Sequence, residues 1–249
     1  YCLMYRYQIL IEYVGTPFIG WQIQKKGKSV QKLIQTKISK LLKEKVNLIG
    51  SGRTDAGVHA IEQSGHFTCK KKIEKLDKFI KSLNHFLNPH LISILDIKKK
   101  SLNFHSRFSA KKRIYRYVIF NRYSKPSLEK NRGMHIKKKL DLKLMKKGAK
   151  LFHGKHNFSA YRSSSCSAKS PVKTIDYVKI KKTNNTIQIR FKSQSFLQSQ
   201  VRSMVGCLYY LGTKKWDLKK FKSVLISKER NLCAPPANPS GLFLEKIIY

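Results

Sequence analysis

The chain has 249 residues with 53 Lys and Arg against 13 Asp and Glu, a formal net charge of +40, and 41% hydrophobic and 11% aromatic residues. That apolar content fills a core and excludes a disordered chain, while the charge points to a polyanion, nucleic acid first, as the partner. No run of about 18 apolar residues exists, which excludes a transmembrane helix and a partner within the membrane.

Tyr5 to Tyr13 alternates, with Tyr7, Ile9, Ile11 and Tyr13 on one face and Leu10 and Glu12 on the other, which predicts a strand. The stretch from Tyr1 to Tyr13 therefore reads as strand and not as a secretory leader. The five cysteines Cys2, Cys69, Cys166, Cys207 and Cys233 form no CxxC pair and read as reduced thiols of a cytoplasmic protein. From Ser29, an N-cap, the positions Val30, Leu33, Ile34, Ile38, Leu41 and Leu42 have helical spacing. Val46 to Ile49 and Gln63 to Thr68 predict short strands, Leu76 to Phe86 a helix, and Leu91 to Ile97 and Ile114 to Asn121 further strands.

In the second half Asp141 caps a helix carrying Leu142, Met145, Ala149 and Phe152. Val172 to Ile180 and Thr186 to Phe191 predict strands, Phe196 to Leu211 and Leu218 to Ile226 helices, and Leu242 to Ile248 a closing strand. Strands and helices mix without a βαβα beat, so the expected fold is α+β, with largely antiparallel sheets flanked by helices. The Lys- and Ser-rich stretch 124–139 reads as a connecting segment between an N-terminal lobe, 1–123, and a C-terminal lobe, 140–249.

Several motifs fail on spacing. Gly27-Lys28-Ser29 lacks the first glycine of a phosphate loop, and Gly50-Ser51-Gly52 finds its third glycine at Gly57, out of place for a dinucleotide fingerprint. His153 with His156, or His66 with Cys69, needs distant ligands to hold a metal. No cofactor is indicated. The unusual segment is Gly50 to His59, which sets three glycines around Arg53, Thr54 and Asp55 between two strand-like runs. Backbone can approach a ligand closely there while Asp55, ionised amid so much positive charge, serves as a nucleophile. The same residues also fit a turn in which Asp55 caps backbone amides and pairs with Arg53.

Gly52-Arg53-Thr54-Asp55-Ala56-Gly57-Val58-His59 resembles the active-site motif of the bacterial tRNA pseudouridine synthase A family. Gly15-Thr16-Pro17-Phe18-Ile19-Gly20-Trp21-Gln22 and Ser29-Val30-Gln31 resemble its first segments, and Phe104-His105-Ser106-Arg107-Phe108-Ser109-Ala110 running into Tyr115-Arg116-Tyr117 its middle motif. Phe158-Ser159-Ala160, Val201-Arg202 with Val205-Gly206, and Gly241-Leu242-Phe243-Leu244 match late motifs in order. The resemblance implies the pseudouridine synthase fold, two lobes with a basic cleft between them, and an isomerase acting on uridines 38 to 40 of the tRNA anticodon stem-loop. It implies Asp55 as nucleophile, Arg53 as the residue that displaces the base, Tyr115 stacked on the target uracil and Arg202 paired with Asp55. It also implies a homodimer that grips the tRNA body.

On residues alone Tyr115, alternating with Tyr117, would be core, and Arg202 a structural ion pair. The chain departs from the family where Gln198, Ser199 and Gln200 replace a His pair and a Met ahead of Val201-Arg202. Part of the charge is compositional, since 42 of the basic residues are Lys and only 11 Arg in a chain rich in Asn and Ile. A non-catalytic RNA-binding protein would need no embedded carboxylate, and an RNA hydrolase would need a partner acid, a His pair or a metal; near Asp55 there is only Glu62.

Overall fold

The computed structural model describes residues 3–249, so Tyr1 and Cys2, which belong to the strand-like start and the cysteine set, lie outside the described residues. Two compact units form, one of residues up to Lys111 together with Leu244–Tyr249, the other Lys112–Phe243. In the first unit β1 (Tyr5–Tyr13) is followed by α1 (Val30–Leu42), β2 (Ile49–Gly50), β3 (His59–Cys69), α2 (Leu76–Leu87) and β4 (Ile92–Lys100). The strand order is β4-β1-β3, with β2 on β3, all antiparallel. Tyr7, Ile9, Ile11 and Tyr13 are buried as their alternation requires, and Ser29 caps α1 by accepting from Lys32 N at 3.3 Å.

In the second unit β5 (Lys112–Asn121), β6 (Met134–Ile136), α3 (Leu142–Leu151), β7 (Gly154–Asn157), β8 (Val172–Thr183) and β9 (Thr186–Ser193) precede α4 (Gln200–Gly212) and α5 (Leu218–Ser227). The order β5-β9-β8-β7 is antiparallel, and β6 adds to β5 in parallel. Asp141 caps α3 through Leu144 N at 2.9 Å. The three helices pack tightly because a Cβ on Gly148 would meet Leu211 Cδ2 at 2.4 Å and one on Gly212 would meet Met145 Sδ at 2.6 Å. The closing strand β10 (Leu242–Ile248), from Leu244 onward part of the first unit, follows β3 in the sheet order. The architecture is the expected mixture of helices with largely antiparallel sheets.

Some elements differ from their sequence-based expectation. Of Val46 to Ile49 only Ile49 is strand, paired with His66, and Gln63 to Thr68 is the middle of the longer β3. The helix expected from Phe196 starts at Gln200, because Ser199 turns into the left-handed region at φ 60° and breaks the run. The stretch 124–139 contains β6, held at its end by the Asn121 amide donating to Ile136 O and Lys138 O. The described cysteines are free thiols, and among the described residues no helix is long and apolar enough to cross a membrane.

Candidate active site

The loop between β2 and β3 carries Arg53 and Asp55, and its shape is imposed by what surrounds it. At its start Ser51 N donates to Ser64 O at 2.8 Å, Ser51 Oγ donates to Gln63 Oε1 at 2.8 Å, and Gln63 Nε2 donates to Gly52 O at 2.9 Å. At its end Val58 N donates to Asp55 O at 3.1 Å, closing a turn whose third residue, Gly57, sits at φ 77°, the left-handed conformation a glycine adopts without strain. In its middle Thr54 is buried and held twice, its carbonyl accepting from Trp21 N at 3.1 Å and its Oγ1 sharing a 2.7 Å hydrogen bond with Tyr13 Oη. With Thr54 turned in, Arg53 is exposed and Asp55 half-buried.

The segment Gly15 to Gln22 is pressed against this loop, which explains its glycines. A Cβ on Gly15 would lie 2.0 Å from Val58 O, and one on Gly20, at φ 116°, would lie 2.6 Å from Thr54 O. Gly15 N also donates to Nδ1 of buried His59 at 3.0 Å, and a Cβ on Gly50 would strike the Trp21 indole at 2.5 Å. Two motifs some 40 residues apart in sequence thus form one rigid body around Asp55. Tyr13, Trp21 and Gln63 are the positioning residues that sequence reasoning missed; their only signal was that Trp21 stands inside a matched motif. Tyr13→Phe, Thr54→Val and the double variant are expected to show a coupling of about 1 kcal/mol in a denaturation cycle, and additive costs would remove this anchor.

The Phe104 to Ala110 motif is fixed to the same strands. Ser106 is fully buried, its Oγ donates to Ile49 O at 2.7 Å and its N–H to His66 Nδ1 at 3.1 Å, while Tyr249 Oη donates to Ser106 O at 2.8 Å. Burial, with the nearby charges of His105 and Arg6, pushes the His66 imidazole down to about 4. His105 is also lowered, first by desolvation and then by Arg6 and Arg107. Because the unfolded chain titrates His66 near its ordinary value, the folded state gains no proton there until about pH 4. Stability is therefore full above about pH 6.5 and falls as pH drops toward 4. His66→Gln is expected to flatten the fall of Tm between pH 6.5 and 4; a slope equal to the parent's would contradict this.

Tyr115 and Arg202 lie in the second unit. Tyr115, on β5 opposite Phe191, is buried with its ring edge-on to Phe196 at 5.3 Å, and Tyr117 two residues on donates its hydroxyl to Asn238 O at 2.8 Å. Burial raises the Tyr117 phenol and Arg202 partly counters it. Arg202 sits on the apolar helix α4, its Nε donating to Ala237 O at 2.8 Å and its carbonyl accepting from Ala237 N at 2.9 Å. A Cβ on Gly206 would meet Pro235 O at 2.1 Å, so the same close approach docks 233–237 on α4 and orients Arg202. The departing residues have structural employment: Gln200 is buried with its Oε1 accepting from Leu197 N at 2.8 Å, and Gln198 O accepts from Ser163 N at 3.0 Å.

The tRNA pseudouridine synthase family model matches residues 9–109 and 149–249, stretches that include Asp55 and Arg202 but not Tyr115. The chain is 68% identical over 246 residues to tRNA pseudouridine synthase A of Pelagibacter ubique, covering 99% of this chain and 100% of that protein. It is 40% identical over 246 residues to tRNA pseudouridine synthase A of Afipia carboxidovorans, and 38% identical over 246 residues to that of Parvibaculum lavamentivorans, with 99% of this chain and 100% of each relative covered. With a family model spanning most of the chain and relatives matched along their full length, this chain belongs to the tRNA pseudouridine synthase family.

Proposed function

We propose that this chain isomerises uridine to pseudouridine at positions 38 to 40 of the tRNA anticodon stem-loop, with Asp55 as the nucleophile. The observation that carries the reading is the loop itself: Thr54 is pinned inward by Trp21 and Tyr13, which leaves a carboxylate and a guanidinium on either side of it in a chain of this family. A protein that only bound RNA would need the Lys-rich surface but no carboxylate held this way.

The reaction breaks the N1–C1′ bond, turns the uracil and forms a C5–C1′ bond; the hydrogen on C5 leaves as a proton and N1 takes one up. Nothing is oxidised and no donor group is transferred, so the chemistry calls for no cofactor. A base cannot turn while stacked and paired, so the nucleotide must leave the stem at a cost of about a few kcal/mol. Arg53, exposed beside Asp55, is the residue proposed to displace the base and hold the flipped nucleotide. Asp55 serves by attack at C6 of uracil or C1′ of ribose, or by abstraction at C2′; each route requires an ionised oxygen at the flipped nucleotide. Arg202 is proposed as the cation paired with that carboxylate, so Arg202→Met is expected to lower the single-turnover rate well below the parent's.

Tyr115 is proposed as the ring on which the flipped uracil stacks. Tyr115→Ala is expected to lose about 1–3 kcal/mol of RNA affinity and most turnover, whereas Tyr115→Phe keeps the affinity. An Ala variant as active as the parent would make Tyr115 a core residue only. The partner is the tRNA, stem-loop and body, gripped through shape and phosphates by a homodimer in the cytoplasm. Transcripts with a single uridine at 38, 39 or 40 test the positions: pseudouridine is expected at each, and modification confined to uridines outside the anticodon arm would overturn this assignment.

A further inference from the structure

We infer that Phe108 is a stacking platform for an unpaired base of the RNA, on a turn anchored to β2, the strand that leads into the Asp55 loop. The inference rests on the reading of the chain as an enzyme of tRNA. Phe108 is 76% exposed, and among the described residues of the first unit it is the one aromatic side chain so exposed; the other exposed large apolar side chains of that unit are Leu, Ile and Met. Such exposure forfeits the burial that an aromatic ring ordinarily contributes and leaves the ring open to a ligand.

The ring is not on a loose tip. His105 Nδ1 accepts from the amides of Arg107 at 3.1 Å and Phe108 at 3.3 Å, Ser109 N donates to His105 O at 2.8 Å, and His105 N donates to Ser109 Oγ at 3.0 Å. The Phe108 ring leans on the His105 imidazole with centroids 4.4 Å apart, and the Arg107 guanidinium carbon stands 5.6 Å from its centroid. The turn is thus a preformed aromatic plate with a cation against it. Its root is Ser106, whose hydroxyl bonds Ile49 O, two residues before the Ser51 that opens the catalytic loop. Arg6 Nη1 braces the turn's approach by donating to Phe104 O at 2.8 Å and to Leu102 O.

An exposed π-face adjoining a guanidinium matches a nucleotide, which offers a flat base to the ring and a phosphate to the cation. A protein partner would need a broader apolar patch, and the overall charge of +40 favours RNA over an average protein surface. Since a flipped nucleotide leaves neighbours without their stacking partner, an exposed plate on the unit that carries Asp55 supports one of them, while Asp55 acts on the target. Phe108 touches no reacting atom; it is a positioning residue.

The test compares Phe108→Leu and Phe108→Trp, measuring tRNA affinity in the Asp55→Asn background and single-turnover rate in the active one. Phe108→Leu is expected to weaken tRNA binding roughly tenfold, and Phe108→Trp to keep it, with Tm near the parent's in both because the ring is exposed. In a tRNA carrying 2-aminopurine at successive anticodon-loop positions, one position should brighten when Phe108→Leu replaces the parent. Leu binding as well as Phe, or Trp failing to rescue, overturns the platform. So does a variant whose only change is in self-association. If the parent makes no pseudouridine in tRNA the functional reading fails instead, whereas an active parent with an equally active Phe108→Leu variant defeats this inference alone.

Discussion

Asp55→Asn is expected to lower turnover by at least about 1,000-fold while leaving tRNA affinity within a few fold of the parent. Asn has the shape of Asp, and three bonds that hold the loop remain available to it: Thr54 O from Trp21 N, Thr54 Oγ1 with Tyr13 Oη, and Asp55 O from Val58 N. The variant therefore removes the anionic charge and keeps these anchors of the loop. Single-turnover rates and equilibrium binding on the same tRNA separate the two effects. Asp55→Glu, which keeps the charge but moves it by one methylene, should also be severely impaired, because a rigid loop cannot retreat to compensate.

The rigidity itself predicts the second large effect. In Gly15→Ala the new Cβ would sit 2.0 Å from Val58 O, 2.5 Å from Val58 C and 2.9 Å from Gly57 C, and every one of these is backbone. Neither side can turn away, so the Gly15–Gln22 segment must separate from the Asp55 loop, breaking the bond from Gly15 N to His59 Nδ1 as it goes. A cost of about 2–4 kcal/mol in stability is expected, with activity lost along with it. Gly65→Ala is the control: its Cβ would come closest to the Leu48 Cδ1 methyl, a side-chain end, at 3.0 Å, and would meet Ile49 O at 3.4 Å and Ile11 Cδ1 at 3.7 Å in ordinary contact. Thermal denaturation should rank the two variants in that order, and equal Tm values would mean that the segment and the loop are not in contact.

Elements with strong periodicity or caps were legible in the sequence: the alternation of β1, the Ser29 cap of α1 and the Asp141 cap of α3. What was not legible depended on distant partners. β6 and β7 are three and four residues long, too short for a pattern, and exist by pairing with β5 and β8. The start of α4 turned on one backbone angle at Ser199, which the apolar pair Phe196-Leu197 ahead of the helical pattern conceals. At the site, Asp55 and Arg53 stood out by composition and by resemblance. The residues that hold them could not: Tyr13 meets Thr54 across 41 positions and His66 meets Ser106 across 40, and neither contact leaves a local spacing to read.

Under the proposed role, the carboxylate of Asp55 drives exchange of the glycosidic bond from N1 to C5 in a tRNA uridine. Forming that bond expels the hydrogen on C5, so tRNA tritiated at C5 of its uridines reports the event as tritium released to water. The parent chain is expected to release tritium in EDTA, in step with pseudouridine appearing in the nucleoside digest, and Asp55→Asn to release none above background. No release by the parent, or release by Asp55→Asn at the parent's rate, would contradict that role.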